Sequence, residues 1–375
     1  MDKKIIVISA VNFGNKTGGA VSILNQCLQY IVDSRLCEQY RVITILHTKK
    51  ACPFPEIECI EYPKALSSWF IRMYYEYIYF KRLSKIWKPY LWLSLHDMTP
   101  NVVARKRAVY MHNTSVFYKW RWRDWSLDYK MSIFSMFYKY IYRTNAKKNN
   151  YLIVQQNWTR DAFSKMLNVD RKKIIVAYPF EEKSISTLTK EGKVQSNDNN
   201  TQFFYPSVPR IFKNFEVICE AVKIINSYGI TNFMVNLTLN DTIGDKYSSY
   251  IYNKYKSVSN INFLGLITKD AVSNQYSQCD CLIFPSKCET WGLPVSEFIQ
   301  YKKPMLLADL PYAHESSIGS QLTAFFDQSN PKDLAHKMMK IINKDYSLLH
   351  PINEIQIDSP FTKSWENLFN ILLNE

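Results

Sequence analysis

The sequence predicts an α/β protein built from two Rossmann-like domains. Three observations carry this. The chain has 375 residues, the length of two ordinary domains. It opens with an apolar run, a glycine-bearing loop and a helix-like segment, which is how a doubly wound parallel sheet starts. A polar stretch without hydrophobic periodicity, residues 181–200, separates the two halves. The expected organisation is a first domain over 1–180, a linker over 181–200, a second domain over 201–360, and a helix over 361–375 that returns to the first domain.

The first strand is the apolar run at residues 4–8. The loop from Asn12 to Gly19 holds Gly14, Gly18 and Gly19, but not in the G-x-G-x-x-G spacing of dinucleotide sites. A helix follows from near Ala20, and Arg41 to His47 reads as the second strand. Residues 69–88 form a helix dense in Trp, Tyr and Phe, with Lys81, Lys85 and Lys88 spaced to share a face. Leu91 to Leu95 is a strand that ends at His96-Asp97, and Ala108 to Met111 is a strand that ends at His112-Asn113. Strand ends of this kind line ligand sites in open α/β sheets. The Trp- and Arg-rich run from Lys119 to Trp125 leads into a helical stretch reaching Lys148. Tyr151 to Val154 and Lys173 to Ala177 complete the strands of this half.

In the second half, the run from Phe203 to Pro206 opens the domain. Arg210-Ile-Phe-Lys213-Asn214 then leads into a helix over 215–226. Strands follow at Phe233 to Leu239 and Ile261 to Gly265, and an amphipathic helix is expected near Lys363 to Leu373.

Composition narrows the class. No run of 18 apolar residues exists, so no membrane-spanning helix is expected. The first residues enter a strand directly, and no signal peptide is expected. The eight Cys form no CxxC pair and no His cluster stands near Cys279 and Cys281, so reduced thiols, a cytoplasmic setting and no metal are expected. Residues 1–180 hold 29 Lys+Arg against 12 Asp+Glu, a net of +17. Residues 181–375 hold 18 against 21, a net of −3, and the two halves sum to the whole-chain +14. The first half therefore calls for an anionic partner. No nucleic-acid signature is present, whereas Trp and Tyr among Lys and Arg suit an anionic membrane surface.

The most informative stretch is Cys281-Leu-Ile-Phe-Pro-Ser-Lys-Cys-Glu289-Thr-Trp291-Gly292-Leu293-Pro294-Val-Ser-Glu297. A buried strand is stopped by Pro285-Ser286, and Glu289 sits in the turn. Gly292 permits the bend, Pro294 opens a helix, and Glu297 lies one turn into it. The helix start offers unpaired N–H groups, which suit a phosphate.

This stretch resembles the donor-sugar motif of retaining glycosyltransferases of family 4, enzymes of the GT-B fold. The likeness continues through Lys303-Pro304 and its apolar run, Glu315, Phe326-Asp327, Asn330-Pro331 and Leu334-Ala335. Where the family commonly has Gly two residues before that Pro, this chain has Lys302. The resemblance implies two domains facing a central cleft, with a nucleotide-sugar donor (UDP- or GDP-linked), a carbohydrate acceptor, retention of configuration and no bound metal or cofactor. Glu289 and His112 would be the catalytic pair, His112 contacting the sugar from the first domain. Glu297 would bind the ribose, while Trp291, Gly292 and Leu293 would border the phosphates and sugar. Lys213 and Arg210 would stabilise the departing diphosphate. The family's usual Arg lies five residues before the Lys, where this chain has Val208. The loop with Gly18 and Gly19 would lie near the donor phosphates. His96 and Asp97 are candidates for acceptor contact. Enzymes of this look often build bacterial surface polysaccharide on lipid-linked acceptors, peripheral on the inner face of the membrane. The rival readings are a nucleotide-sugar epimerase and a non-catalytic membrane- or nucleic-acid-binding module.

Overall fold

A computed structural model describes residues 3–11, 19–179 and 200–374, with backbone only at 19 and 20. The chain forms two compact units. The first contains residues 1–113, 137–185 and 357–375, and the second contains 114–136 and 186–356. The expected linker lies outside the described residues except for Asn200.

The first unit has an eight-stranded sheet among its described residues. Its strands are β1 (Lys4–Ala10), β2 (Tyr40–Leu46), β3 (Glu58–Glu61), β4 (Leu91–Ser94), β5 (Lys106–Tyr110), β6 (Tyr151–Val154) and β7 (Ile174–Ala177). The short strand Phe361–Thr362 also joins this sheet. Every pairing is parallel, and β1 sits between β2 and β4, with Ile6 opposite both Val42 and Leu91. Ile6, Val7 and Ile8 are fully buried. A strand covered on both faces needs a continuous apolar run, which is why this one was readable. The helix Gly19–Asp33 and the helix Trp365–Leu373 pack into the same core through Leu24, Leu28, Leu368, Phe369 and Leu372.

The second unit has six parallel strands among its described residues. They are β8 (Thr201–Tyr205), β9 (Phe233–Leu237), β10 (Ile261–Phe263), β11 (Cys281–Phe284), β12 (Met305–Ala308) and β13 (Thr323–Phe326). Phe361–Thr362 is therefore β14. The order is β10-β9-β8-β11-β12-β13. The chain winds outward from β8 in one direction and from β11 in the other, so the order reverses between those two strands. The first sheet reverses in the same way between β1 and β4. Such reversals leave a crevice at the strands' carboxyl ends, where side loops diverge.

Several elements depart from expectation. The expected helix over 69–88 is helical at Trp69–Tyr74, widens into a π turn at Tyr75–Tyr79, and returns to α at Phe80–Trp87. The stretch expected to run helical to Lys148 forms two helices, Trp122–Leu127 and Tyr129–Arg143, parted at Asp128. β3 was not foreseen, because an edge strand of sequence Glu-Cys-Ile-Glu buries too little to need an apolar run. β14 was not foreseen because two residues carry no periodicity.

Candidate functional site at the second sheet's reversal

The loops after β8 and β11 meet at the reversal point. After β8, a short turn Ile211–Lys213 ends at Asn214, whose backbone is left-handed (φ 60°). The Asn214 side-chain amide donates to the carbonyls of Pro285 (3.2 Å) and Gln328 (2.9 Å), tying this turn to the end of β11. The Tyr205 hydroxyl donates to the Lys213 carbonyl at 2.8 Å. From the other side, Lys287 N donates to the Phe212 carbonyl at 2.7 Å, and the Tyr312 hydroxyl donates to the Ser286 carbonyl at 2.8 Å. Both loops are thus fixed by bonds from buried polar groups, each of which must find a partner.

The fixed loops bring Lys213 and Glu289 together. The Lys213 ammonium donates to Glu289 Oε1, and the two side chains are only 17% and 12% exposed. Burial raises the pKa values of the Tyr205 and Tyr312 hydroxyls, and the Glu289 charge adds to the shift. Both tyrosines stay neutral donors under the pair. A carboxylate and an ammonium with little solvent around them interact more strongly than they would at the surface.

Gly292 follows at φ 91°, in the left-handed region where a Cβ is disfavoured. It caps the helix Leu293–Ile299, which places the helix start one residue before Pro294. Trp291 is buried and its indole N–H donates to Ser296 Oγ at 3.0 Å. Glu297 accepts from the Tyr276 hydroxyl at 3.2 Å. Arg210 is exposed, and its NH1 donates to the adjacent Pro209 carbonyl.

The chain is similar to known proteins. Residues 189–356 match the family model described as glycosyl transferases group 1. The matched residues lie within the second unit. The chain is 21% identical over 251 residues to the O-antigen chain mannosyltransferase RfbU of Salmonella typhimurium, which spans 66% of this chain but only 63% of that relative. Among solved structures, WaaG, a glycosyltransferase involved in lipopolysaccharide biosynthesis, superposes with TM-score 0.61 at 14% identity, over 99% of this chain and all of WaaG. HepE of Anabaena, solved with UDP-glucose, superposes with TM-score 0.62 at 14% identity, over 92% of each chain. These likenesses establish the fold: the two parallel-sheet units are those of GT-B glycosyltransferases. The residues matched by the family model include Glu289, Glu297, Lys213, Arg210, Trp291, Gly292 and Leu293.

The first unit holds the remaining described candidates: His96 and Asp97 after β4, His112 after β5, and Gly19 at the first helix. His112 is half-buried. Its Nε2–H donates to the Leu95 carbonyl at 2.9 Å, and its ring stacks on Tyr110 at 4.5 Å. Burial lowers its pKa, so the ring is neutral at pH 7. Asp97 Oδ1 accepts from the backbone N–H of His112 and of Asn113, and the Tyr142 hydroxyl lies 2.8 Å from it. One oxygen of the carboxylate offered above for acceptor contact anchors the His112 loop.

His96 reaches no solvent. Its Nε2 lies 3.2 Å from Ser9 Oγ and 3.3 Å from Glu76 Oε1, and its Nδ1 lies 3.4 Å from Arg72 NH2. It braces β1 against the π turn. Gly19 begins the first helix, whereas Gly18 lies outside the described residues. Among the described residues no group of three His, Cys, Asp or Glu is placed to hold a metal ion.

Several residues that build the site were not singled out from the sequence. Asn214, Tyr205 and Tyr312 act through backbone carbonyls, which leave no spacing signal. A Lys-Asn pair directly before an apolar-periodic helix was the one available hint for Asn214.

Proposed function

We propose that the protein transfers a sugar from a nucleotide-sugar donor, UDP- or GDP-linked, to a carbohydrate acceptor with retention of configuration, in the synthesis of bacterial surface polysaccharide. The observation that carries this is the Lys213–Glu289 pair, held at the carboxyl ends of β8 and β11 beside the Gly292 turn. When the bond from the anomeric carbon to the phosphate oxygen breaks, its electron pair goes to the diphosphate and positive charge grows on the sugar. The Lys213 ammonium meets the first charge and the Glu289 carboxylate the second. In the resting protein the two neutralise each other. Backbone N–H groups of Gly292 and Leu293 would face the phosphates, with Trp291 packed beneath and Arg210 free to swing in from the surface. Glu297, oriented by Tyr276, would accept from the ribose hydroxyls. The neutral His112 would contact the sugar. No metal is required, since Lys213 and the backbone donors supply the positive field.

Several features support a lipid-linked acceptor and docking of the first unit on an anionic membrane. The helix from Trp69 to Trp87 exposes Phe70 (88%), Tyr74 and Ile78, together with Lys81, Arg82 and Lys85. Large exposed apolar side chains beside cations suit a headgroup layer. The Salmonella relative, named for O-antigen chain synthesis, points the same way. Among the described residues no helix is long and apolar enough to cross a membrane.

The test is a panel of nucleoside diphosphates in a thermal-shift assay, followed by calorimetry. UDP or GDP at about 100 times its dissociation constant should stabilise the protein by roughly 2.7 kcal/mol. Glu297→Ala should weaken that binding at least about fivefold, because a ribose contact is made in the ground state too. If no nucleotide shifts the transition, the donor assignment is wrong. If the variant binds as wild type does, Glu297 does not touch the ribose.

A further inference from the structure

The Trp- and Arg-rich segment 114–124 belongs to the second unit and lies against the loops that carry the Lys213–Glu289 pair. Cys288 Sγ sits 3.3 Å from the Thr114 carbonyl and 3.4 Å from its hydroxyl. The Tyr118 ring packs on Phe212 at 6.3 Å, and the Tyr118 hydroxyl donates to Asp124 Oδ2 at 3.2 Å. The same Asp124 oxygen accepts from Arg121 N at 2.9 Å.

These contacts pack the segment that bears Arg121 and Arg123 against the loop of Lys287, whose backbone N–H donates to the same Phe212 and which stands two residues from Glu289. Two carboxylates are near, and both are engaged. Asp124 is held by Tyr118 and the Arg121 backbone. Arg123 NH2 donates to Glu216 Oε2 at 3.0 Å, and Arg123 NH1 lies 2.8 Å from Oε1 as an ion pair. The Lys287 ammonium and the Arg121 guanidinium have no ion-pair partner among the described residues. Burial lowers the Lys287 pKa, with Arg121 as the next cause and Arg123 adding to it, while Glu216 and Asp124 pull it back. A half-buried ammonium with further positive charge in its neighbourhood is unfavourable until an anion joins it. A phosphate suits both, accepting from a planar fork on one side and a point charge on the other.

We propose that Lys287 and Arg121, flanked by the Arg123–Glu216 pair, form a second phosphate-binding subsite that takes the phosphate or diphosphate of the acceptor. The word acceptor rests on the transfer reading above, in which Lys213, Gly292 and Leu293 take the donor's phosphates; the anion site itself does not. The chemistry recognised is a phosphate ester carried by the acceptor and distinct from the nucleotide.

The experiment is calorimetric titration of inorganic pyrophosphate into the full chain saturated with UDP or GDP, whichever the thermal-shift panel selects. One pyrophosphate should bind beside the nucleotide. Lys287→Gln and Arg121→Gln should each weaken that binding at least about tenfold, the scale of one charge-assisted bond, and leave nucleotide affinity within about twofold. If the nucleotide-saturated protein takes no pyrophosphate, or if the variants weaken nucleotide binding instead, these cations serve the donor and the subsite does not exist. If neither UDP nor GDP binds but pyrophosphate still does, in a Lys287-dependent way, the subsite stands and the transfer reading falls. Circular dichroism checks folding. Should Lys287→Gln misfold, Arg121→Gln, an exposed position, decides.

Discussion

Glu289 and Lys302 show two kinds of constraint at the scale of a single residue. Glu289 is fixed by chemistry. Its carboxylate is held against Lys213 by loops that Asn214, Tyr205 and Tyr312 lock in place. Glu289→Ala should leave circular dichroism unchanged and lower turnover at least about 100-fold, the scale for losing a contact to charge that develops in the transition state. A steady-state assay giving near-normal turnover would refute a catalytic role. Lys302 is fixed by backbone. It sits at φ 53°, in the left-handed region, and its N–H bonds the Ile299 carbonyl at 3.0 Å. That is the shape a glycine takes without cost, so the lysine standing where the resemblance led one to expect a glycine keeps the same backbone course. Lys302→Gly should stabilise the second unit by about 1 kcal/mol, read by calorimetry as a higher transition midpoint. A lower midpoint would show that the lysine side chain earns its place by contacts.

Among whole elements, what could be read from the sequence was what burial dictates. β1, β4, β6, β8 and β11 are covered on both faces, so each carries an apolar run along its buried part. The Glu289 turn was legible because proline, glycine and a second proline punctuate it. The π turn at Tyr75–Tyr79 was not, since one extra residue in a helical turn barely alters an aromatic pattern. It has a marked electrostatic effect. It buries Glu76 completely, near Arg72 and His96. Burial raises the Glu76 pKa from 4.5 to about 7, and Arg72 opposes the rise. A carboxyl whose pKa is higher folded than unfolded binds protons more tightly in the folded state. Stability from this group is therefore complete below about pH 4.5 and is lost as pH climbs to about 7, by up to roughly 3 kcal/mol. Glu76→Gln should remove that slope, so the variant gains on wild type as pH rises across this window. Urea denaturation at several pH values measures it, and parallel curves for the two proteins would mean that Glu76 does not titrate there.

At the scale of the whole molecule, charge and exposed aromatics are sorted by sequence position. Residues 1–180 carry the net +17. Sequence alone could place the excess in the first half, but not the Arg121–Arg123 stretch beside Glu216 and Lys287, because contacts between distant segments leave no local pattern. Full-length protein should co-sediment with vesicles containing anionic lipid at low salt and detach in part as salt rises, since each cation near the surface contributes about 1 kcal/mol and salt screens it. Lys81, Lys85 and Lys88 changed together to Glu should weaken this binding and leave turnover of a short soluble acceptor within about twofold, since none of the three is assigned to donor or sugar contact. Equal binding to neutral and anionic vesicles, or none to either, would end the electrostatic docking idea. The segment from Ile357 onward has a different bearing on the molecule. It supplies β14 and the helix Trp365–Leu373 to the unit that the chain began with Lys4. During synthesis the first sheet therefore lacks its edge strand and part of its core cover while all of the second unit is being made. The domain that starts first is finished last, and a ribosome that stalls near residue 356 releases a complete second unit attached to an open first one.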